Sequence, residues 1–123
     1  MLEVTKVFAS FSVDDLGRAR SFYGEVLGLD VSPDGAPLWL SSDGGEPVMV
    51  YDKPDHAPAS YTVLNLAVAS IEKAVDELAG RGVEIAQYPG FETDDRGIVH
   101  AEGHAIAWFT DPAGNGVSVV QIG

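Results

Sequence analysis

The chain repeats itself, and that repetition limits its fold more than any single motif does. Phe11-Ser12-Val13-Asp14-Asp15-Leu16-Gly17-Arg18-Ala19 returns in pattern as Leu66-Ala67-Val68-Ala69-Ser70-Ile71-Glu72-Lys73-Ala74, 55 residues on. Gly28-Leu29-Asp30-Val31 returns as Gly82-Val83-Glu84-Ile85 at an offset of 54. Trp39-Leu40-Ser41 through Val48 returns as Trp108-Phe109-Thr110 through Val117 at 69. A duplicated supersecondary unit does not usually bury its apolar face alone, so the copies are expected to share one domain. A chain of 123 residues suits that, burying roughly two-thirds of the surface of its unfolded form.

Within one copy, Val4 to Val13 alternates as a half-buried strand should, with Val7, Ala9, Phe11 and Val13 on one face and Phe8, Ser10 and Ser12 on the other. Asp14 or Asp15 can cap a helix whose apolar positions are Leu16, Ala19, Phe22, Tyr23, Val26 and Leu27, and Gly28 stops it. Short apolar runs follow at Leu29 to Val31, Pro37 to Leu40 and Val48 to Tyr51. They are separated by Ser32-Pro33-Asp34-Gly35 and by a Gly- and Asp-rich stretch before Pro47, both of them turn chemistry. The unit is βαβββ. Lys53 to Ala59 reads as a linker, and the second copy restarts with strand Thr62 to Val68, cap Ser70 and helix positions Ile71, Ala74, Val75 and Leu78.

Before its third strand the second copy gains 15 residues, within Ala86 to Ala107. They include Tyr88, Phe91, the stretch Glu92-Thr93-Asp94-Asp95-Arg96-Gly97, and two of the three histidines. Inserted loops of this length either carry function, here as a lid or pocket wall, or simply lengthen a hairpin.

Seven basic against nineteen acidic residues give a net charge of −12, which argues against nucleic-acid partners because a phosphate backbone needs a basic stripe. The charge serves solubility, or it favours a cationic small molecule. With no cysteine there is no disulfide, thiolate metal site or cysteine nucleophile, which fits a reducing cytoplasm. No run approaches the ~20 apolar residues of a membrane span, and no basic-then-apolar leader opens the chain. The expectation is a cytoplasmic protein without membrane partners.

The paired βαβββ modules, Ser12-Val13-Asp14-Asp15-Leu16 leading to Arg20-Ser21-Phe22-Tyr23 and Val26-Leu27-Gly28-Leu29, and the closing Trp108-Phe109-Thr110-Asp111-Pro112-Ala113-Gly114-Asn115 together resemble the vicinal oxygen chelate superfamily. This is the grouping of glyoxalase I, extradiol dioxygenases, fosfomycin-resistance enzymes and bleomycin-resistance proteins. The resemblance covers essentially the whole chain. It implies an α+β domain over residues 1–123, with module 1–52 and module 60–123 joined by linker 53–59. The two βαβββ modules are expected to form a cupped mixed sheet with helices on its outer face, and the chain to form a homodimer.

In enzymes of this superfamily four inward-facing His, Glu or Gln side chains hold a divalent metal. The resemblance maps those positions to Phe8, Met49, Val63 and Ser118, none of which suits a hard cation. The neighbouring residues on these strands offer no His, Glu or Gln either. No cofactor and no catalytic residue is therefore assigned. Expected ligand-binding residues are Phe8, Ser10, Trp39, Met49, Tyr51, Asn65, Trp108 and Ser118, an apolar lining with a few polar groups.

Trp39 and Trp108 occupy equivalent places and either stack on a ligand or pack between sheet and helix. His100, Glu102 and His104 would share one strand face but stand too far apart to meet on one ion unless the chain bends at Gly103. The expected function is metal-independent binding of a small molecule, such as sequestration of a cationic or aromatic antibiotic or metabolite. The alternatives are a glyoxalase- or dioxygenase-like enzyme with a relocated or absent metal site, and a protein-interaction or dimerisation module.

Overall fold

The computed structural model describes every residue of the chain except Asp34, Gly44 and Pro89. The turns expected around Asp34 and Gly44 and the part of the insertion at Pro89 thus lie outside the described residues. Two compact units are present, Met1–Ala57 and Pro58–Gly123. Each carries a four-stranded mixed sheet, and together they form two tandem βαβββ modules of α+β type.

In the first unit, strand β1 (Ser10–Val13) is followed by helix α1 (Leu16–Arg20) and then β2 (Asp30–Val31), β3 (Leu38–Ser41) and β4 (Val48–Asp52). The sheet order is β1-β4-β3-β2, with β1 parallel to β4 and the other pairs antiparallel. Asp15 starts α1 by accepting from the Arg18 backbone N–H at 3.0 Å. Beyond Arg20 the helix continues as one π-helical stretch, Ser21–Val26, with the Leu27 N–H reaching the Phe22 carbonyl at 2.9 Å. Gly28, at a φ of 79°, then turns the chain out, a conformation a β-carbon would oppose. Tyr23 is fully buried and meets Phe11 edge-on at 5.9 Å; Val13, Leu38, Leu40 and Val50 are the unit's other buried strand residues.

The first strand is shorter than the alternation suggests. Met1 to Ala9 lie outside β1 and are exposed, Val7 at 78%. Alternation marks a segment that could pair, but pairing needs a partner backbone. Here β4 supplies one only from Met49 onward, whose N–H donates to the Ala9 carbonyl at 3.0 Å.

In the second unit, β5 (Thr62–Ala67) leads to helix α2 (Ile71–Gly80), then β6 (Val99–Ala101), β7 (His104–Thr110) and β8 (Gly116–Ile122), in sheet order β5-β8-β7-β6. Ser70 caps α2 by accepting from the Lys73 N–H, and Ile71, Val75 and Leu78 form its buried face. The offsets of the duplication reappear as hydrogen-bond register. Ser10 pairs with Met49 and Trp39 with Met49 in one sheet, and Asn65 with Ser118 and Trp108 with Ser118 in the other. The Ser32 N–H donates to the Trp39 carbonyl at 3.0 Å, and its counterpart Ala86 donates to the Trp108 carbonyl at 2.7 Å.

The copies part company after that bond. The expected strand at Val83–Ile85 does not form, and Ala86 makes only a single bridge to Trp108. The edge of the second sheet is instead completed by β6, which comes from inside the insertion. A two-residue turn at Glu102-Gly103, with Gly103 at a φ of 81°, folds β6 onto the extended N-terminal end of β7.

Candidate ligand-binding site

Alternation along β3 and β4 puts Leu38, Leu40 and Val50 on the core face and leaves Trp39, Met49 and Tyr51 on the other. Ser10, Met49 and Trp39 form one cross-strand row on this open face. Phe8 reaches it from the segment before β1, its ring edge-on to Trp39 at 5.2 Å. Ser12 pairs with Tyr51 in the next row, and its hydroxyl lies 2.6 Å from Nδ1 of His56. His56 therefore folds back onto β1 rather than standing in solvent as a linker residue would.

The second unit repeats the row as Asn65, Ser118 and Trp108. Ser118 is fully buried, and its hydroxyl donates to Asn65 Oδ1 at 2.6 Å. The eight residues singled out in the sequence thus fall on the two sheet faces opposite the core, one per unit: Phe8, Ser10, Trp39, Met49 and Tyr51 on the first, and Asn65, Trp108 and the covered Ser118 on the second. Val63 sits at a register irregularity between Thr62 and Leu64, so strand parity does not carry through it.

The insertion brings residues to Trp108 that the sequence named only as contents of a loop. The Tyr88 ring meets Trp108 edge-on at 5.5 Å, and the Phe91 ring meets it tilted at 5.2 Å. With Tyr61 they border a cleft of about 660 Å³ whose polar lining includes Ser60, Thr62 and Thr110 and which, among the described residues, has no charged side chain. The signal available in advance was the asymmetry between the copies, since neither Tyr88 nor Phe91 has a counterpart in the first.

The loop carrying these rings is held at both ends. Ala86 bonds to Trp108 on one side. On the other, Asp94 Oδ1 accepts from the backbone N–H groups of Arg96 and Ile98 at 2.8 and 3.0 Å, and the Asp94 N–H donates to the Ile98 carbonyl at 2.9 Å. His100 Nε2 lies 2.9 Å from Asp94 Oδ2. The His100 contact, with the Ile98 N–H behind it, holds the Asp94 carboxyl below its ordinary value. Ile98 is fully buried, and the Arg96 guanidinium spans to helix α2, bonding the Glu72 carbonyl at 2.9 Å and the carboxylates of Glu72 and Asp76.

The hairpin also settles the histidines of the insertion. His100 pairs with Ala105 and His104 with Ala101, so the two rings leave opposite faces of the β6–β7 ribbon. Among the described residues no three His, Cys, Asp or Glu side chains come together as a metal site would require.

The sequence profile of the Glyoxalase/Bleomycin resistance protein/Dioxygenase superfamily matches residues 7–119. The chain belongs to this superfamily. Among solved structures, it is similar to a glyoxalase family protein from Bacillus anthracis, with 18% identity, a TM-score of 0.72 and the whole of both chains covered. An antibiotic binding protein from Streptomyces sp. CB03234 is 24% identical with a TM-score of 0.72, covering 99% of this chain and 100% of the other. A glyoxalase/bleomycin resistance protein from the same organism is 25% identical with a TM-score of 0.68, covering 91% and 96%. No curated protein sequence matches the chain.

The superfamily's divalent metal can be tested against the residues at its four mapped positions. Phe8 offers a ring edge-on to Trp39, Met49 a thioether and Val63 an alkyl group, while the Ser118 hydroxyl is committed to Asn65. A hard cation takes carboxylate oxygen or imidazole nitrogen, and these four positions supply neither. The residues present do not fit the metal. Among the described residues no helix is long and apolar enough to cross a membrane.

Proposed function

We propose that this protein is a metal-independent small-molecule-binding member of the superfamily that holds a cationic or aromatic antibiotic or metabolite without transforming it. The observation that carries the reading is the composition of the two open faces. Where the superfamily's enzymes place metal ligands, this chain has Phe8, Met49, Val63 and a Ser118 already bonded to Asn65. What remains is aromatic and apolar surface with isolated hydroxyl and amide groups, the usual make-up of a site that binds organic molecules. The likeness to an antibiotic binding protein supports the same reading. The net charge of −12 favours cationic ligands over anionic ones at long range. A cysteine-free chain suits a reducing cytoplasm, and the superfamily resemblance implies a homodimer.

A thermal-shift screen of antibiotics and cationic aromatic compounds, run with and without chelator, tests this. A genuine ligand at a hundred times its Kd stabilises the folded state by about 2.7 kcal/mol, and the gain is indifferent to chelator. Stoichiometric metal in the purified protein, with turnover of a substrate that chelator abolishes, would refute the reading.

A further inference from the structure

We infer that the ligand sits in the cleft beside Trp108 and that it is a planar aromatic cation. This rests on the small-molecule reading above and narrows it to one site and one chemical class. Tyr61, Tyr88 and Phe91 are exposed at 71%, 39% and 55%, and they border the same cleft as Trp108. Large apolar rings gathered on a surface are unfavourable unless something covers them, and a flat ring system covers them best because it can stack on one and meet others edge-on.

Charge selects further. Among the described residues the lining has no lysine or arginine to occupy the ring faces and no carboxylate to form an ion pair. A cation in the cleft is therefore held by ring quadrupoles, a preference the overall charge of −12 reinforces and which disfavours an anion of the same shape. The rings are also pre-positioned. Tyr88 and Phe91 lie between two anchors, the Ala86 bond to Trp108 on one side and the Asp94–Ile98 turn with buried Ile98 on the other, which lowers the ordering that binding must supply. The first unit lacks this arrangement, since its tryptophan meets only Phe8 among the ring contacts described.

The test uses Trp39→Phe, which leaves Trp108 as the sole tryptophan, in 0.5 M salt, where a screening length of about 4 Å suppresses diffuse attraction to surface carboxylates. The probes are proflavine, a planar aromatic cation; anthraquinone-2-sulfonate, a planar aromatic anion; and tetramethylammonium, a cation without a ring. Proflavine is expected to quench Trp108 fluorescence saturably while the other two do not. Tyr88→Ala and Phe91→Ala are each expected to weaken proflavine about fivefold, the size of one aromatic contact. Both side chains are exposed, so these variants keep the fold.

Unchanged proflavine affinity in both variants would overturn the cleft and leave the broader reading standing. Equal binding of the sulfonate would overturn the preference for a cation. Saturable antibiotic binding that Trp39→Ala abolishes, with the cleft variants unaffected, would move the site to the first unit. No response of the protein to any of the three probes would overturn the assignment of ligand class, whereas the antibiotic screen decides the broader reading separately.

Discussion

Arg96 and Glu72 are joined through the backbone as well as through charge: a guanidinium nitrogen of Arg96 donates to the Glu72 carbonyl at 2.9 Å while the carboxylates of Glu72 and Asp76 close around it. The contact fastens the insertion to helix α2. Because both carboxylates are exposed and Arg96 itself is only partly covered, Arg96→Ala is expected to cost about 1 kcal/mol or less of stability in urea denaturation. Its larger effect is local. With Trp108 as the sole tryptophan, acrylamide quenching should increase as Tyr88 and Phe91 leave its ring. Arg96→Lys should not restore the protection, since a single ammonium cannot reproduce the planar fork.

Gly97 stands at a φ of 84°, and a β-carbon there would lie 2.6 Å from Cγ2 of Ile85. Gly103, at 81°, has nothing within 4 Å of the same added atom. Gly103→Ala should therefore cost only the left-handed backbone term, about 1 kcal/mol. Gly97→Ala should cost that plus a steric term, roughly 2–4 kcal/mol in all. Chemical denaturation of the two variants side by side separates strain from clash, and equal losses would contradict the packing of residue 97 on Ile85.

Asp94 predicts an acid-side dependence. Its carboxyl is held below the ordinary value, 3.8, chiefly by His100 and then by the Ile98 N–H. A carboxyl with a depressed folded-state pKa adds stability above its unfolded pKa and loses it as pH falls through the folded one. Asp94→Ala should cost about 1–2 kcal/mol near neutrality, from the acceptors it removes. The gap between variant and wild type should close below about pH 4. Urea midpoints measured from pH 6 down to pH 2 check the sign, and a gap that widened on acidification would contradict it.

Asp111 and Asn115 are both buried where β7 turns into β8. Asp111 accepts from the backbone N–H groups of Ala113 and Asn115 at 2.9 Å and from the Asn115 side-chain amide at 3.0 Å. Asp111→Ala removes the acceptor of three hydrogen bonds at this turn and should cost about 2–4 kcal/mol, read as a lower Tm. Asp111→Asn keeps one acceptor oxygen and should cost less.

How much of this was legible beforehand differs from residue to residue. Asp15, Ser70, Gly28 and Gly82 delimit the helices as their types suggest, because capping and left-handed turns are local and the side chain alone largely decides them. His56 was not legible, since nothing in its neighbourhood announces a bond to Ser12, 44 residues away.

The sequence by itself determined the repeated framework. Offsets of 55, 54 and 69 between the copies reappear as the rows Ser10-Met49-Trp39 and Asn65-Ser118-Trp108 and as the paired bonds to the two tryptophan carbonyls. Through the superfamily resemblance it also mapped the metal positions to Phe8, Met49, Val63 and Ser118, residue types that offer no carboxylate or imidazole. Tertiary structure alone decided which stretches became strands and which rings met. Val4 to Ala9 and Val83 to Ile85 have strand-like patterns, yet the first lies outside β1, with the Ala9 carbonyl accepting from Met49 at its end, and the second lost its edge place to Val99–Ala101. Strand formation depends on a backbone supplied from elsewhere in the chain, which side-chain pattern does not encode. For the same reason only the fold could show that the inserted residues bring Tyr88 and Phe91 onto Trp108, through anchors at Ala86, Asp94 and Ile98 that lie outside the cleft they shape.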